Sequence, residues 1–257
     1  MYLLVTNIYN EREKIAPMFE RVSKFTVKPM MWLWIVDGST DGSEEEIERC
    51  AGFYRIPVNY YILPPKEEGS LRTIGKAYNM AFDGLDIRHG EYDFMVIMDV
   101  DAKFPHDYTL ICSITFSSDK TIGVISGIPR GIKKLKMPTG NGKAVRWNIV
   151  QEIDKFWNAA PDTFLNIKAK SMGYRWHILD FTIDAPPPSR IDSYSGALHA
   201  GWLWYYVSGS WSGAIARMVY RMFKRRFGIA FIKGFLDGRR DKIQAEDVDV
   251  KEYYGRV

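Results

Sequence analysis

The sequence predicts an α/β fold, a mostly parallel central sheet flanked by helices, followed by a C-terminal amphipathic helical extension. Three observations carry this expectation. Short apolar runs alternate with segments of helical periodicity through the first half of the chain. Three of those runs lead into polar, acid-containing clusters, and the carboxyl ends of parallel strands are where ligands bind. After Pro186-Pro187-Pro188 the composition turns aromatic and basic. Alternation of strands and helices implies βαβ units with right-handed crossovers.

Taken in order, Tyr2 to Thr6 (YLLVT) reads as the first strand, and Ile15 to Phe25 as a helix with apolar positions at helical spacing. Met31 to Val36 (MWLWIV) is a buried second strand, and Ser43 to Cys50 a helix with an acidic face. Val58 to Leu63 makes a third strand, Ile74 to Phe82 a helix, and Phe94 to Met98 (FMVIM) a fourth strand. Beyond it the pattern is less regular. Ile122 to Ser126 reads as a further strand, and Arg130 to Arg146 as a loop rich in Gly, Pro and Lys. There is no internal repeat.

A chain of 257 residues, 46% apolar, supports one large domain or a domain with an extension, and is too apolar to be disordered. The net charge of +4 is modest, but basic residues gather late and acidic ones early, which suggests an anionic partner. Cys50 and Cys112 lack metal-ligand spacing and read as small core residues in a reducing compartment. A strand begins almost at the first residue, leaving no room for a signal peptide, and no run of about 20 strongly apolar residues suggests a membrane span.

The strand-end clusters are Asn7-Ile8-Tyr9-Asn10-Glu11, Asp37-Gly38-Ser39-Thr40-Asp41-Gly42-Ser43 and Asp99-Val100-Asp101. A parallel sheet brings all three to one rim. Alternate residues of an extended segment point to opposite sides, so Asp99 and Asp101 need not share a ligand. One can bind a ribose hydroxyl while the other binds a metal on a diphosphate. Carboxylate oxygens suit Mg²⁺ or Mn²⁺ rather than zinc. Asp41 or Ser43 reads as the cap of the next helix, which leaves Asp37 for a base or ribose.

Thr6 to Glu13, Val36 to Gly42 and Met98 to Asp101, in this order and spacing, resemble glycosyltransferase family 2 over about residues 2 to 175. The resemblance implies the Rossmann-like GT-A fold, a nucleotide-diphosphate sugar donor and a divalent cofactor, Mn²⁺ or Mg²⁺. Thr6, Tyr9, Asn10 and Glu11 would contact the nucleoside, Asp37 the base or ribose, Asp99 and Val100 the ribose side, and Asp101 the metal. Gly75 to Asn79 matches a helix start near the nucleotide, which implicates Lys76. Asp162, Leu165, Lys168 and Gly173-Tyr174 follow the spacing around the family's general base, although Pro161 stands where an acid is usual. Glu152 and Asp154 are the fallback bases. Gly140, Asn141 and Gly142 resemble the Gly-rich stretch beside the acceptor, and His199 and Trp202 are candidates for the diphosphate or acceptor. Arg130, Lys133, Lys134, Lys136, Lys143 and Arg146 would steer and hold a diphosphate or lipid phosphate, Arg146 at the nucleotide sugar.

Tyr9 to Glu13 and Met98 to Asp101 most resemble the family's mannose synthases, which implies GDP-mannose before a UDP-sugar. The family resemblance implies inverting transfer, and Asp162 in its motif a sugar hydroxyl on a lipid-linked glycan or polyprenyl-type acceptor. The expected division is residues 1–190, with a nucleotide half to about residue 103, and residues 191–257. From Ser193 to Ala216 there is no formal charge; Arg217, Arg221, Lys224, Arg225 and Arg226 follow, then Phe227 to Phe235. This pattern suits a membrane interface, at the cytoplasmic face, or an aromatic lid. Other classes fit less well. A haloacid-dehalogenase phosphatase would carry DxD on its first strand, a nucleotidyltransferase a Gly-rich opening loop, and an oxidoreductase G-x-G-x-x-G after strand one. Nucleic-acid binding leaves three acidic strand ends without a purpose. A catalytically inactive nucleotide- or membrane-binding module remains the alternative.

Overall fold

The computed structural model describes residues 1–65, 73–132, 135, 137–185, 193–224, 227–242 and 244–245. The chain forms two compact units, Met1–Pro186 and Pro187–Val257.

In the first unit the strands are β1 (Tyr2–Ile8), β2 (Met31–Val36), β3 (Val58–Ile62), β4 (Phe94–Ile97), β5 (Ile122–Pro129), β6 (Lys143–Arg146) and β7 (Arg175–Ile183). They form one sheet in the order β3-β2-β1-β4-β6-β5-β7. All neighbours run parallel except β6, which is antiparallel to both β4 and β5. The helices are α1 (Arg12–Ser23), α2 (Ser43–Tyr54), α3 (Ile74–Gly84), α4 (Tyr108–Ser118), α5 (Trp147–Gln151) and α6 (Pro161–Ser171).

The central strands are apolar at consecutive positions because both faces are covered. Tyr2, Leu4, Ile8, Trp32 and Trp34 join Ile15, Met18, Phe19, Ile47, Tyr108 and Phe116 in one core on the side of α1, α2 and α4. The alternate residues Leu3, Val5, Leu33, Ile35, Met95 and Ile97 are also buried and face the other side. Aromatic residues of α3, α6 and the segment between α5 and α6 meet one another: Tyr78 and Phe82 against Phe156, and Phe164 against Phe156 and Trp157. Cys50 and Cys112 are buried and unbridged.

The expected elements of the first half are present with shifted ends. β1 runs two residues past Thr6, and α1 begins three residues before Ile15. The expected Arg130–Arg146 loop contains β6, whose four residues open with a lysine and carry no strand signal by themselves.

The second unit holds α7 (Tyr194–Tyr206), α8 (Trp211–Phe223) and α9 (Gly228–Asp241). Gly201 of α7 lies against the Phe231 carbonyl and Gly234 of α9 against the Leu198 carbonyl, so a Cβ at either position would collide with backbone. Among the described residues no helix is long and apolar enough to cross a membrane.

Candidate functional site

β4 ends at Ile97, and residues 99–102 close a turn in which Ala102 N–H donates to the Asp99 carbonyl at 3.2 Å. The expected strand-like alternation of the two acids therefore does not hold. Pairing has stopped, and both carboxylates belong to one turn. Asp99 is reached by solvent yet enclosed by protein on most sides, as a group in a concave recess is. That enclosure, then the charges of Asp101, Asp162 and Glu11, push its carboxyl up to about 6. Four acids from β1's end, the DxD turn and α6 thus converge.

Cations answer this charge from α1. Lys14 pairs with Glu11 and stands 3.9 Å from Asp101, and its ammonium is held above its ordinary value first by the Glu11 hydrogen bond. Arg21, seven residues on, donates to the Val100 carbonyl at 2.7 Å and also acts on Asp101.

The loops after β1 and β2 are laced together. Asn10, at φ +51°, accepts from Thr40 N–H at 2.8 Å through its side chain, and its own N–H donates to Ser39 Oγ at 3.0 Å. Asp41 accepts from Arg12 N–H at 2.9 Å and from Ser43 N–H at 3.2 Å, tying the starts of α1 and α2. Asp37 is buried, directly after β2, and its N–H donates to the Ile8 carbonyl. Tyr9 is exposed at the rim. Asn7 Oδ1 is buried and accepts no hydrogen bond among the described residues, so a donor group of a ligand would satisfy it.

The Gly-rich stretch joins the DxD turn to the proposed base. Asn141 Oδ1 accepts from Asp99 N–H at 3.1 Å. Gly140 lies against Asp162, where a Cβ would come within 3.1 Å of Oδ2. Gly142, at φ +69°, donates its N–H to the Ile97 carbonyl. Asp162 sits in the first turn of α6 behind Pro161, which begins the helix. Proline is well suited there because its fixed φ is helical and its missing N–H would have no intrahelical partner. The departure at Pro161 thus has a local structural reason, and the helix N-terminus favours a carboxylate.

Several expected residues are placed elsewhere. Thr6 is fully buried within β1, and its hydroxyl accepts from Trp32 Nε1 at 3.0 Å, because the strand continues past it. Val100 is a core residue with its carbonyl taken by Arg21. Arg146 pairs with Phe94, at the opposite end of β4 from Asp99. There it donates to the carbonyls of Ile122, Phe116 and Asp119 at 2.6 to 2.8 Å, away from the DxD turn. Lys143 is fully buried rather than in a solvated basic loop. Arg130 pairs with Asp184 at 3.1 Å, and Lys133, Lys134, Lys136, Arg225, Arg226 and the Pro186–Pro188 break lie outside the described residues. Glu152 and Asp154 follow α5, which starts beside Asp93 at the amino-terminal end of β4. Lys76 is exposed on the first turn of α3, whose start Thr73 caps. His199 and Trp202 lie on α7 of the second unit, where they stack and Trp202 Nε1 donates to Asp241 at 3.3 Å.

Sequence reasoning missed Lys14, Arg21 and Tyr78, and gave Lys143 a phosphate to hold where the structure gives it Asp162 and Asn166. Tyr78, buried on α3, is acted on by both Asp99 and Asp162, and burial first and then these charges raise its hydroxyl. The one available signal was a Lys and an Arg seven apart on the helix after the first strand, hence on one face.

No family model and no curated protein matches the sequence. Solved structures do match in fold. The chain is similar to the mannosyltransferase PcManGT from Pyrobaculum calidifontis in complex with GDP-Man and Mn²⁺, with a TM-score of 0.67 and 15% identity over 94% of this chain and 87% of that one. It is similar to S. aureus TarS 1-349 in complex with UDP-GlcNAc, with a TM-score of 0.54 and 15% identity over 88% and 72%. It is also similar to the glucosyl-3-phosphoglycerate synthase from Mycobacterium tuberculosis in complex with Mn²⁺, UDP and phosphoglyceric acid, with a TM-score of 0.56 and 13% identity over 80% and 78%. The first unit, with its seven-stranded sheet and its acidic turn at the carboxyl end of β4, therefore has the fold of the GT-A glycosyltransferases.

Proposed function

We propose that the chain is a metal-dependent glycosyltransferase that moves a hexose from a nucleoside-diphosphate donor by inverting transfer. The observation that carries this reading is the convergence of Asp99, Asp101 and Asp162 in one recess of a GT-A fold. Asp99 would take the ribose side, Asp37 the base or ribose, and Tyr9, Asn10 and Glu11 the rim around the nucleoside. The orphaned Asn7 acceptor supports a ligand with N–H groups there.

A divalent cation, Mn²⁺ or Mg²⁺, fits Asp101 by donor chemistry, since hard carboxylate oxygens crowded with like charge are relieved by it. Among the described residues no three His, Cys, Asp or Glu side chains group closely enough to hold a metal alone. Donor phosphates and water would complete the shell, as is usual for Mg²⁺. When bound, the ion supplies charge neutralisation for the departing nucleoside diphosphate. Lys14 and Arg21 add positive charge on the same side of the turn. Asp162 would accept the proton of an acceptor hydroxyl, a poor nucleophile until that proton leaves. The Gly140-Asn141-Gly142 loop, in contact with Asp99 and Asp162, would border the acceptor.

GDP-mannose is the preferred donor, on the resemblance of the Tyr9–Glu13 and Met98–Asp101 motifs to mannose synthases; a UDP-sugar is the alternative. The acceptor proposed is a lipid-linked glycan or polyprenyl-type compound at a membrane surface. The exposed apolar residues Ile215, Val219, Tyr220, Met222 and Phe223 of α8 support the membrane.

Calorimetry with GDP and UDP in Mn²⁺, Mg²⁺ or EDTA tests the donor site. Metal-dependent binding of one nucleotide, lost in Asp101→Ala, is expected. Binding of neither nucleotide under any condition would overturn the reading in favour of an inactive module.

A further inference from the structure

Lys143 opens β6 opposite Ile97, the last residue of the strand that leads into the DxD turn. It is 0% exposed, and a buried ammonium is costly without partners. Its Nζ donates to the main-chain oxygen of Asp162 and, at 2.8 Å, to Asn166 Oδ1. Asn166 donates its amide to the Pro138 carbonyl at 2.9 Å, which turns its oxygen toward Lys143. The Asp162 carboxylate also acts on the ammonium. A methionine of similar length would fill this space without the cost of desolvating a charge. Packing alone therefore does not account for a lysine.

The neighbours of Asp162 make the charge useful. Asp99 faces it from the DxD turn, Tyr78 from α3 and Lys143 from β6. Lys143 is the one cation of these three neighbours. We propose that Lys143 is a positioning residue for Asp162: its buried ammonium, bonded to the Asp162 main-chain oxygen and to Asn166, grips the first turn of α6 and fixes where the carboxylate stands. The inference rests on reading Asp162 as the general base, which must be ionised to accept a proton. Burial pushes the ammonium itself down to about 8, so the support is strongest near and below that pH.

The test compares turnover with metal-dependent nucleotide affinity in Lys143→Met, alone and combined with Asp162→Asn. Release of nucleoside diphosphate from GDP-mannose or UDP-glucose with Mn²⁺ is expected to fall about tenfold or more in Lys143→Met while nucleotide affinity by calorimetry holds. Lys143→Met should slow Asp162→Asn no further. A second measurement keeps the lysine and does not depend on Lys143→Met folding: in Asp162→Asn the Lys143 Cε signal in ¹³C NMR should titrate lower, because the Asp162 carboxylate acts on the ammonium. Wild-type turnover in Lys143→Met beside a slowed Asp162→Asn, additive losses in the double variant, or an unchanged Lys143 midpoint overturns the inference. The base reading fails separately. If Asp162→Asn releases nucleoside diphosphate at the wild-type rate while its Lys143 midpoint falls, Lys143 holds the carboxylate and the carboxylate is not the base.

Discussion

At the scale of single residues, Lys143 and Arg146 show how two basic side chains of one short strand separate into different tasks. They are three positions apart in β6, so they point to opposite faces of the sheet. Lys143 reaches α6, whereas Arg146 reaches the carbonyls of Ile122, Phe116 and Asp119. Replacing Arg146 by Met should cost about 3 kcal/mol in chemical denaturation, since charge-assisted bonds to buried carbonyls are lost, and leave nucleotide affinity unchanged. A drop in nucleotide affinity without loss of stability would return Arg146 to the binding site. Lys143 carries a pH signature. Its ammonium titrates near 8 in the fold against an ordinary 10.5, so the cost of burying it is fully present below pH 8. As pH rises toward 10.5 the native state sheds a proton that the unfolded state keeps, and stability rises. Urea titrations across that window should show a gain of up to about 3 kcal/mol for wild type relative to Lys143→Met. Parallel curves for the two proteins would contradict it. Asp37 and Asp99 stand out in the sequence because an Asp after an apolar run is a local pattern, whereas Asp162 is marked only by the resemblance. The counterions of the site's acids do not stand out, because Lys14, Arg21 and Lys143 meet them only through strand order and helix placement.

At the scale of elements, the segment leading to Asp162 is held by α3 and by Arg88 just beyond it. Asn79 forms two hydrogen bonds with the backbone of Phe156, donating to its carbonyl at 2.8 Å and accepting from its N–H at 2.7 Å. Arg88 donates to the carbonyls of Ile153 and Asp154. Gly75 lies so close to the Trp157 carbonyl that any Cβ would overlap it. The Gly75-to-Asn79 stretch therefore belongs to a helix that fixes the segment leading to Asp162, beside the nucleotide contact the resemblance implies. Asn79→Ala should cost about 2–3 kcal/mol, because it orphans two buried backbone groups. Gly75→Ala should lower turnover more than metal-dependent nucleotide binding, measured in parallel by product release and calorimetry. Equal losses in both would mean that α3 supports the donor site instead. The parallel half of the sheet was readable because each strand is a near-continuous apolar run between turn residues. β6 was not, since an antiparallel four-residue strand with Lys and Arg at its ends is recognised only by its neighbours β4 and β5.

At the scale of the whole molecule, the second unit separates charge from apolar surface on α8. Its cations lie over aromatic rings of the neighbouring helices: Arg217 stands 4.0 Å from the centre of Trp204 and Arg221 5.2 Å from that of Phe231. Ala214 is buried beside Phe231 and Phe235. Ile215, Val219, Met222 and Phe223 face outward, Phe223 at 84% exposure. If this surface meets lipid as proposed, insertion of apolar side chains should dominate over charge attraction. Sedimentation with phosphatidylcholine vesicles, with and without phosphatidylserine, separates these contributions. Phe223→Glu should weaken binding to both vesicle types by about tenfold or more, the equivalent of losing one buried aromatic side chain. High salt should weaken binding much less, because screening acts on exposed charges and leaves apolar burial in place. Binding that needs phosphatidylserine, vanishes in salt and survives Phe223→Glu would assign the attachment to exposed lysines and arginines, leaving the apolar face of α8 to a protein partner.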